Sequence, residues 1–597
     1  MKKNILKKIF SAVAAVAAAT VMPLSAIGCG NDGPTWTPPQ NTDVYNIPQD
    51  YARTYYEVFV RSFSDGNGDG IGDLQGLIKN LDYLNDGDDS TMTDLGVNGI
   101  WLMPINKSGS YHKYDVIDYY QIDDEYGTLD DFKQLAEECE KRGIWIQMDL
   151  VLNHTSNQHA WFKAAVASAK AGKRPTTDKA MKKYVFQVSE DMPTDKGTWH
   201  KVAGTNYWYL GNFSGSMPDL NLDNEEVRAE ILTIVEYWLK KGVRSFRLDA
   251  VPWAYNTSAN YNEENGEFWS WFCQNCDRLG RQVYGESTPD LPVYCYNVGE
   301  VWGGGSDSIK SFFRTGMSCF NYEMAAAYNK GFSGAVNGND RAYSYVTKQV
   351  RNQQDALAVD PNALLSNFLS CHDNNRSAGN HFGFDVAKIK QAAALYLLSA
   401  GNAYIYYGEE IGAAGEKYGD NEPDSNMRMP FNWGDASKGI TTNPPQTNYE
   451  GTQELGSWAS QTNNENSILT FYRETIKIRN RFPEIARGVM KQYALDANSG
   501  LGNPDEILEA SGKKYLDSVN KLNDNVAIYT ITYKDNTLLF FHNLSEEKDA
   551  TIDVSAFAGY EIAASLKTRS GSATLTGASL GLPAGAVAVL ALPKAAE

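Results

Sequence analysis

Three acidic residues stand in settings that could do chemistry: Asp249 in SFRLDAV, Glu300 in YNVGEVW and Asp373 in FLSCHDNNR. Each follows a short β-branched and aromatic run of the kind that builds a buried parallel strand, which puts each carboxylate at a strand's C-terminal end. In a (β/α)8 barrel that end is the active face. The spacing suits about one βα unit between Asp249 and Glu300 and about two between Glu300 and Asp373, at roughly 35 to 50 residues per unit. The acids are therefore expected to converge from three nonadjacent strands. Cleaving a glycosidic bond needs an acid for the leaving oxygen and a carboxylate facing the anomeric carbon. This chain offers both, and one carboxylate more.

The elements that must position these residues recur from Tyr55 onward: YYEVFVRSF, GVNGIWLMPI, GIWIQMDLVLNH, GVRSFRLDAV, VYCYNVGEVW, MSCFNYEM, ALLSNFLSCHD and NAYIYYGEE, with helical patterns between most of them. Eight such alternations predict an α/β fold with a closed parallel TIM barrel. Thr155 to Asn224, after the third strand, shows few helical signals; a connection that long predicts a functional insertion. Beyond SILTFYRETIKIRNRF, the runs NVAIYTITY, TLLFFHNL, ATIDVSAF and AVAVLALP read as an antiparallel β-sandwich. The predicted organisation is a signal segment at 1–28, a tether at 29–50, the barrel at 51–154 and 225–487, an inserted domain at 155–224 and the sandwich at 488–597. The sandwich is expected to cover an apolar face of the barrel rather than to act as a separate binding module.

Hydrophobic residues at 42% and charged residues at 21% of 597 positions exclude a disordered chain. A formal net charge of -19 excludes phosphate backbones as partners, so no nucleic acid is expected. The 13 Trp and 35 Tyr suit neutral sugars, which present flat CH faces to rings, and equally suit a large aromatic core. Lys2, Lys3, Lys7 and Lys8 before the apolar run Ile9 to Ala19 read as an export signal too short to span a membrane stably. Ala26-Ile27-Gly28-Cys29 resembles a bacterial lipobox, which makes a lipid on Cys29 the expected membrane link; cleavage after Gly28 without a lipid is the alternative. Cys139, Cys273, Cys276, Cys295, Cys319 and Cys371 show no metal-finger spacing and read as free and buried.

Four motifs in order give the chain a resemblance to glycoside hydrolase family 13, the α-amylase family, from about residue 50 to the end. DLVLNH (Asp149 to His154), SFRLDAV, VGEVW and LSCHDNN resemble the family's four signatures. The resemblance implies Asp249 as nucleophile, Glu300 as general acid and base, and Asp373 as the residue that binds ring hydroxyls and stabilises the transition state. It implies that Arg247 holds Asp249 ionised, and that Glu300 starts protonated through neighbouring negative charge and partial burial. His112 and Tyr114 of YHKYDVIDYY match positions that bond and stack on the sugar being cleaved, and His154 and His372 match contacts to its hydroxyls. SDGNGDGIGD resembles the family's calcium loop, with Asp65, Asn67, Asp69 and Asp73 and the Ile71 carbonyl as ligands of Ca2+; Gly76 at position twelve excludes an EF-hand. A second calcium site would use Asn153 and Asp219. Trp253, preceded by Pro252, stands where many amylases carry a Lys-His pair, and reads either as a stacking platform or as a buried Trp. MPDLN (Met217 to Asn221), with Arg428 in NMRMPFNW, resembles the signature of an intermediary subfamily that includes many extracellular amylases.

The reading is an exported, monomeric, retaining hydrolase that cuts internal α-1,4 bonds of starch-like α-glucan and maltooligosaccharides. An exo-acting α-glucosidase or oligo-1,6-glucosidase is the alternative enzyme. An inactive glucan-binding barrel is the alternative of another class.

Overall fold

In the computed structural model of the protein, which describes residues 36–593 except 44, 259, 289, 303–304, 326–329, 420–421, 446 and 448–452, all eight barrel runs form strands. They are β1 (Thr54–Val58), β2 (Gly99–Leu102), β3 (Trp145–Leu150), β4 (Val243–Leu248), β5 (Tyr296–Gly299), β6 (Ser318–Phe320), β7 (Leu365–Phe368) and β8 (Asn402–Tyr406). Each is parallel to its neighbours, and β1 closes the ring by pairing with both β8 and β2. The signal segment, Cys29 and residues 29–35 of the tether lie outside the described residues. Asn41 and Asp50, in the expected tether, are bonded to the rest of the chain: Asn41 donates to the Asp89 carbonyl at 2.6 Å, and Asp50 pairs with Arg487 at 2.6 Å.

The period of two along a strand divides the barrel side chains between two cores. Tyr55, Trp101, Trp145, Tyr296, Phe320 and Tyr404 point inward and fill the ring with aromatics, Tyr55 stacking on Tyr404 at 4.8 Å. Their neighbours Tyr56, Ile100, Ile146 and Phe246 point outward to the helices. The same alternation places Glu57, Asp149, Arg247 and Asp249 on the inner side, above that plug, where a polar group meets the cleft.

The long connection after β3 is a small domain with an antiparallel sheet of Phe186–Val188, Tyr207–Leu210 and Trp199–Lys201. It also carries a helix at Ala160–Lys170 that the sequence reading did not see. Its AWFKAAVASAK is rich in Ala, a strong helix former that gives little apolar periodicity.

At the C-terminus, a five-stranded antiparallel sheet (Val489–Gln492, Val526–Tyr533, Asn536–Asn543, Ala586–Ala591, Glu561–Lys567) faces a three-stranded one across a core that includes Phe541, Leu590, Ile552 and Leu580. The larger sheet's other face, with Tyr529, Ile531, Phe540 and Val589, belongs to the barrel's outer core. Among the described residues no helix is long and apolar enough to cross a membrane.

Candidate active site

The three acids converge, but not from nonadjacent strands. Asp249 ends β4 and Glu300 ends β5, which pair directly; Asp373 follows β7, two strands further on. The spacing of about one βα unit implied that adjacency, because consecutive strands of a parallel barrel are neighbours.

One guanidinium organises the first two acids. Arg247 is 1% exposed and reaches Asp249 at 2.7 Å, Asp149 at 2.9 Å and Glu300 at 3.0 Å. Asp149 also accepts from Tyr114 Oη at 3.0 Å and from Trp101 Nε1 at 3.3 Å. Three carboxylates around one cation leave negative charge in excess. Burial pushes the Asp249 carboxyl up to about 8 against the opposing pull of Arg247, and Glu300 and Asp149 add to the rise. Arg247 is the group that opposes this rise and favours the ionised form.

Glu300 accepts from the Ala250 backbone N–H at 2.9 Å and from Trp302 Nε1 at 2.5 Å, and is ion-paired with Arg247. Ala250 adopts a left-handed φ of 49°, a strained conformation for a residue with a Cβ, and the turn it makes aims that N–H across from β4 to β5.

Asp373 is fixed from its other side. Arg428 reaches it at 2.9 Å and His372 Nε2 at 2.8 Å, while His372 Nδ1 meets Glu57 of β1 at 2.6 Å. Burial opposes the charge on His372, but Asp373 and Glu57 win and raise it to about 10, so the ring is an imidazolium with two donors. Burial likewise opposes the Asp373 carboxylate, yet His372 and Arg428 hold it well below the usual range.

A cleft of about 400 Å3 opens over these groups, lined by His112, Tyr114, His154, Asp249, Glu300, Asp373, Arg428 and Trp253 together with Phe213 and Trp302. His154 is buried, its Nε2 has no hydrogen-bond partner among the described residues, and burial lowers it to about 4, which leaves a neutral ring. His112 is likewise lowered to about 4 by burial, and its Nδ1 meets the Tyr114 N–H at 3.1 Å. Trp253 is 42% exposed and packs against Phe213 at 5.2 Å, a platform rather than a core residue. Arg247 and His372 do not line the cleft: the two Nη atoms of Arg247 and both ring nitrogens of His372 reach carboxylates behind it. Glu57, Tyr111, Phe213, Trp302 and Tyr322 were not singled out from the sequence. Of these only Trp302 had a local signal, two residues after Glu300. A larger hollow of about 970 Å3 lies between the inserted domain and the barrel, but none of the three acids lines it.

Calcium is implied at two places. In the first loop, Asp65 accepts from the N–H groups of Asn67, Gly68 and Gly70, and Asp73 from those of Gly66, Asn67 and Gly76. Gly68 and Gly70 sit at φ 89°, open to glycine alone without strain. Asp69 and Asn67 lie on the exposed rim, bonded through Oδ1 to Ile71 N and Asp69 N. The donors are all oxygen, which fits a hard cation in kind. The two inner carboxylates also serve the loop's amides, and among the described residues no three His, Cys, Asp or Glu side chains are gathered to hold a metal. At the second place, Asp219 is buried against Asn212 and Asn153, and burial raises its carboxyl to about 7. A carboxylate buried among amides, with no cation bonded to it among the described residues, fits a hard cation as well.

Comparison with known proteins agrees with this geometry. A family model described as the α-amylase catalytic domain matches residues 57–488. The chain is 32% identical over 511 residues to α-amylase 3 of Dictyoglomus thermophilum, covering 85% of this chain and 92% of that one. It is 28% identical over 491 residues to an oligo-1,6-glucosidase of Parageobacillus thermoglucosidasius, covering 72% of this chain and 84% of the other. Among solved structures, Eubacterium rectale Amy13B superposes with a TM-score of 0.77 at 35% identity, covering 93% of this chain and 98% of that chain.

Proposed function

The chain belongs to the α-amylase family of glycoside hydrolases, and from that premise we propose an endo-acting, retaining enzyme that cuts internal α-1,4 bonds of starch-like glucans. The observation that carries this is the Arg247 fork, which seats Asp249 and Glu300 side by side beneath an open cleft. A retaining pair stands about 5 to 5.5 Å apart, close enough to share one guanidinium, whereas an inverting pair is set apart by a water. Asp249 Oδ1 is held by Arg247 while Oδ2 is free of hydrogen bonds among the described residues, which leaves Oδ2 to attack C1. Glu300 protonates the leaving oxygen and then takes a proton from the water that releases the sugar. Asp373, kept ionised by His372 and Arg428, accepts from ring hydroxyls. The neutral His154 and His112 supply further hydrogen bonds.

Endo action is supported by the cleft's walls, where Trp253, Phe213 and Trp302 keep 42%, 46% and 39% of their surface exposed, as platforms for a chain that runs on past the cleaved bond. The oxygen-rich Asp65 to Asp73 loop, none of whose residues lines the cleft, would hold Ca2+ as a structural ion. The basic and apolar N-terminus with Cys29 supports export and lipid anchoring, and Cys29→Ala should then free the protein from the membrane fraction.

The product profile on amylose, pullulan, cyclodextrin and isomaltose, run beside Asp249→Asn, tests the reading. Early mixed maltooligosaccharides with isomaltose untouched are expected. Glucose alone, or attack on isomaltose, would move the enzyme to the exo-acting or 1,6-cleaving side that the Parageobacillus relative represents.

A further inference from the structure

Glu300 has two oxygens, and the structure treats them differently. Oε2 accepts from the Ala250 N–H at 2.9 Å and is ion-paired with Arg247 Nη2 at 3.0 Å. An amide N–H and a cation both favour negative charge on Oε2, so Oε2 is the oxygen that stays unprotonated. Among the described residues Oε1 accepts only from the Trp302 indole at 2.5 Å, which leaves one of its two lone pairs for a proton. Resting on the assignment of Glu300 as acid and base, we infer that the transferred proton resides on Oε1, and that Trp302 is a positioning residue that sets the direction in which Glu300 delivers it.

The indole suits that role. Nε1–H donates and cannot accept, so it caps one lobe of Oε1 without drawing the proton away. The ring is itself fixed, stacked on Tyr322 at 4.6 Å with 27° between the planes, and Tyr322 is buried in the barrel's aromatic plug. With Ala250 and Arg247 on one oxygen and Trp302 on the other, the carboxyl cannot turn, and the free lobe of Oε1 opens to the cleft.

In the first step the proton on Oε1 passes to the glycosidic oxygen. The C1–O bond breaks with its electron pair going to that oxygen, and Asp249 Oδ2 bonds to C1. Negative charge then appears on Oε1, where the indole N–H becomes a charge-assisted donor. Its contact is thus stronger in the transition state than before it, the condition for raising the rate rather than only binding. In the second step water bonds to C1, its proton passes to Oε1, and Asp249 leaves with the electron pair.

The test compares substrates whose leaving groups differ in need of a proton. Trp302→Phe keeps an aromatic ring over Tyr322 and removes the donor, at a partly exposed position that folding should tolerate. Its kcat/KM on maltopentaose should fall on the order of tenfold or more, part of the 10²–10⁴-fold that a general acid supplies. On a nitrophenyl maltotrioside, whose phenolate leaves without protonation, the fall should be about twofold or less. Equal losses on both substrates, as from damaged packing or lost stacking, or no loss on maltopentaose, would overturn the inference. Glu300→Gln, run alongside, separates this from the parent reading. If Glu300→Gln cleaves maltopentaose like the wild type, the assignment of Glu300 itself fails. If it shows the substrate difference while Trp302→Phe does not, only the role of Trp302 fails.

Discussion

At the residue scale, one guanidinium meets three carboxylates at Arg247, so removing an acid and removing the cation should act in opposite senses on stability. Asp249→Asn keeps the shape and removes a carboxyl whose ionised form burial and two neighbouring acids disfavour. Hydrolysis should fall by at least about a thousandfold, since the attacking group is gone, yet the melting temperature at pH 7 should stay level or rise. Arg247→Leu strands the acids without a counter-charge and should cost about 3 to 5 kcal/mol, the usual penalty for breaking a buried pair from one side. Calorimetry on the two variants checks both; a large stability loss in Asp249→Asn would contradict the account. The strand-end acids were legible in sequence because each follows a short β-branched and aromatic run. The partners that govern them were not. Glu57 lies 315 positions from His372, and Arg428 lies 55 from Asp373, contacts that closing the barrel makes and no sequence window contains.

At the element scale, the eight strands could be read from their apolar runs, whereas the pieces that join them carry the fine control. The Asp65 to Asp73 loop is built tightly: a Cβ on Gly72 would lie 2.0 Å from the Val60 carbonyl oxygen, so even Gly72→Ala must break the loop. If the loop holds Ca2+, ion at a hundredfold its Kd should add about 3 kcal/mol to stability, and chelation should lower the melting temperature. Asp69 is exposed and bonds only Ile71 N among the described residues, so Asp69→Ala should erase the chelator's effect at little other cost. An unchanged melting temperature on chelation would sink the site. Just past β8, Glu409 is buried with its carboxylate oxygens accepting from Tyr396, Tyr472 and Ser370, and burial raises it from 4.5 to about 7. The folded chain thus keeps a proton that the unfolded chain releases near 4.5. The stability it confers is full below about 4.5 and is lost as pH rises to about 7, on the order of 3 kcal/mol in all. Glu409→Gln should therefore melt higher than wild type at pH 8 and about level with it at pH 5; a variant that melts lower at pH 8 would refute the assignment.

At the scale of the whole molecule, the C-terminal sheets raise the question of whether they bind glucan or complete the barrel. A module that only binds can be cut away, because its link to the rest is thin. Here the larger sheet gives one face to its own core and the other to the barrel, with Tyr529, Ile531, Phe540 and Val589 fully or nearly fully buried there. Polar bonds tie the same seam: Gln353 donates to the Gly488 carbonyl at 2.8 Å and accepts from Met490 N at 2.7 Å, and Tyr529 Oη donates to the Leu398 carbonyl at 3.2 Å. Arg481 reaches the Ala563 carbonyl at 3.0 Å. A chain ending at residue 488, where the family match ends, would expose this apolar face and orphan these groups. It should be insoluble or molten, with dye binding and no cooperative melt, rather than an active barrel with weaker hold on starch. The period-two strands announced a sandwich but not its docking, because a strand's pattern shows which residues are covered and not by what. Expression of residues 36–488 followed by thermal melting and a maltopentaose assay decides the matter: a soluble, cooperatively melting, active barrel would show the sheets to be an appendage, while loss of folding in that piece alone would make them part of the enzyme's core.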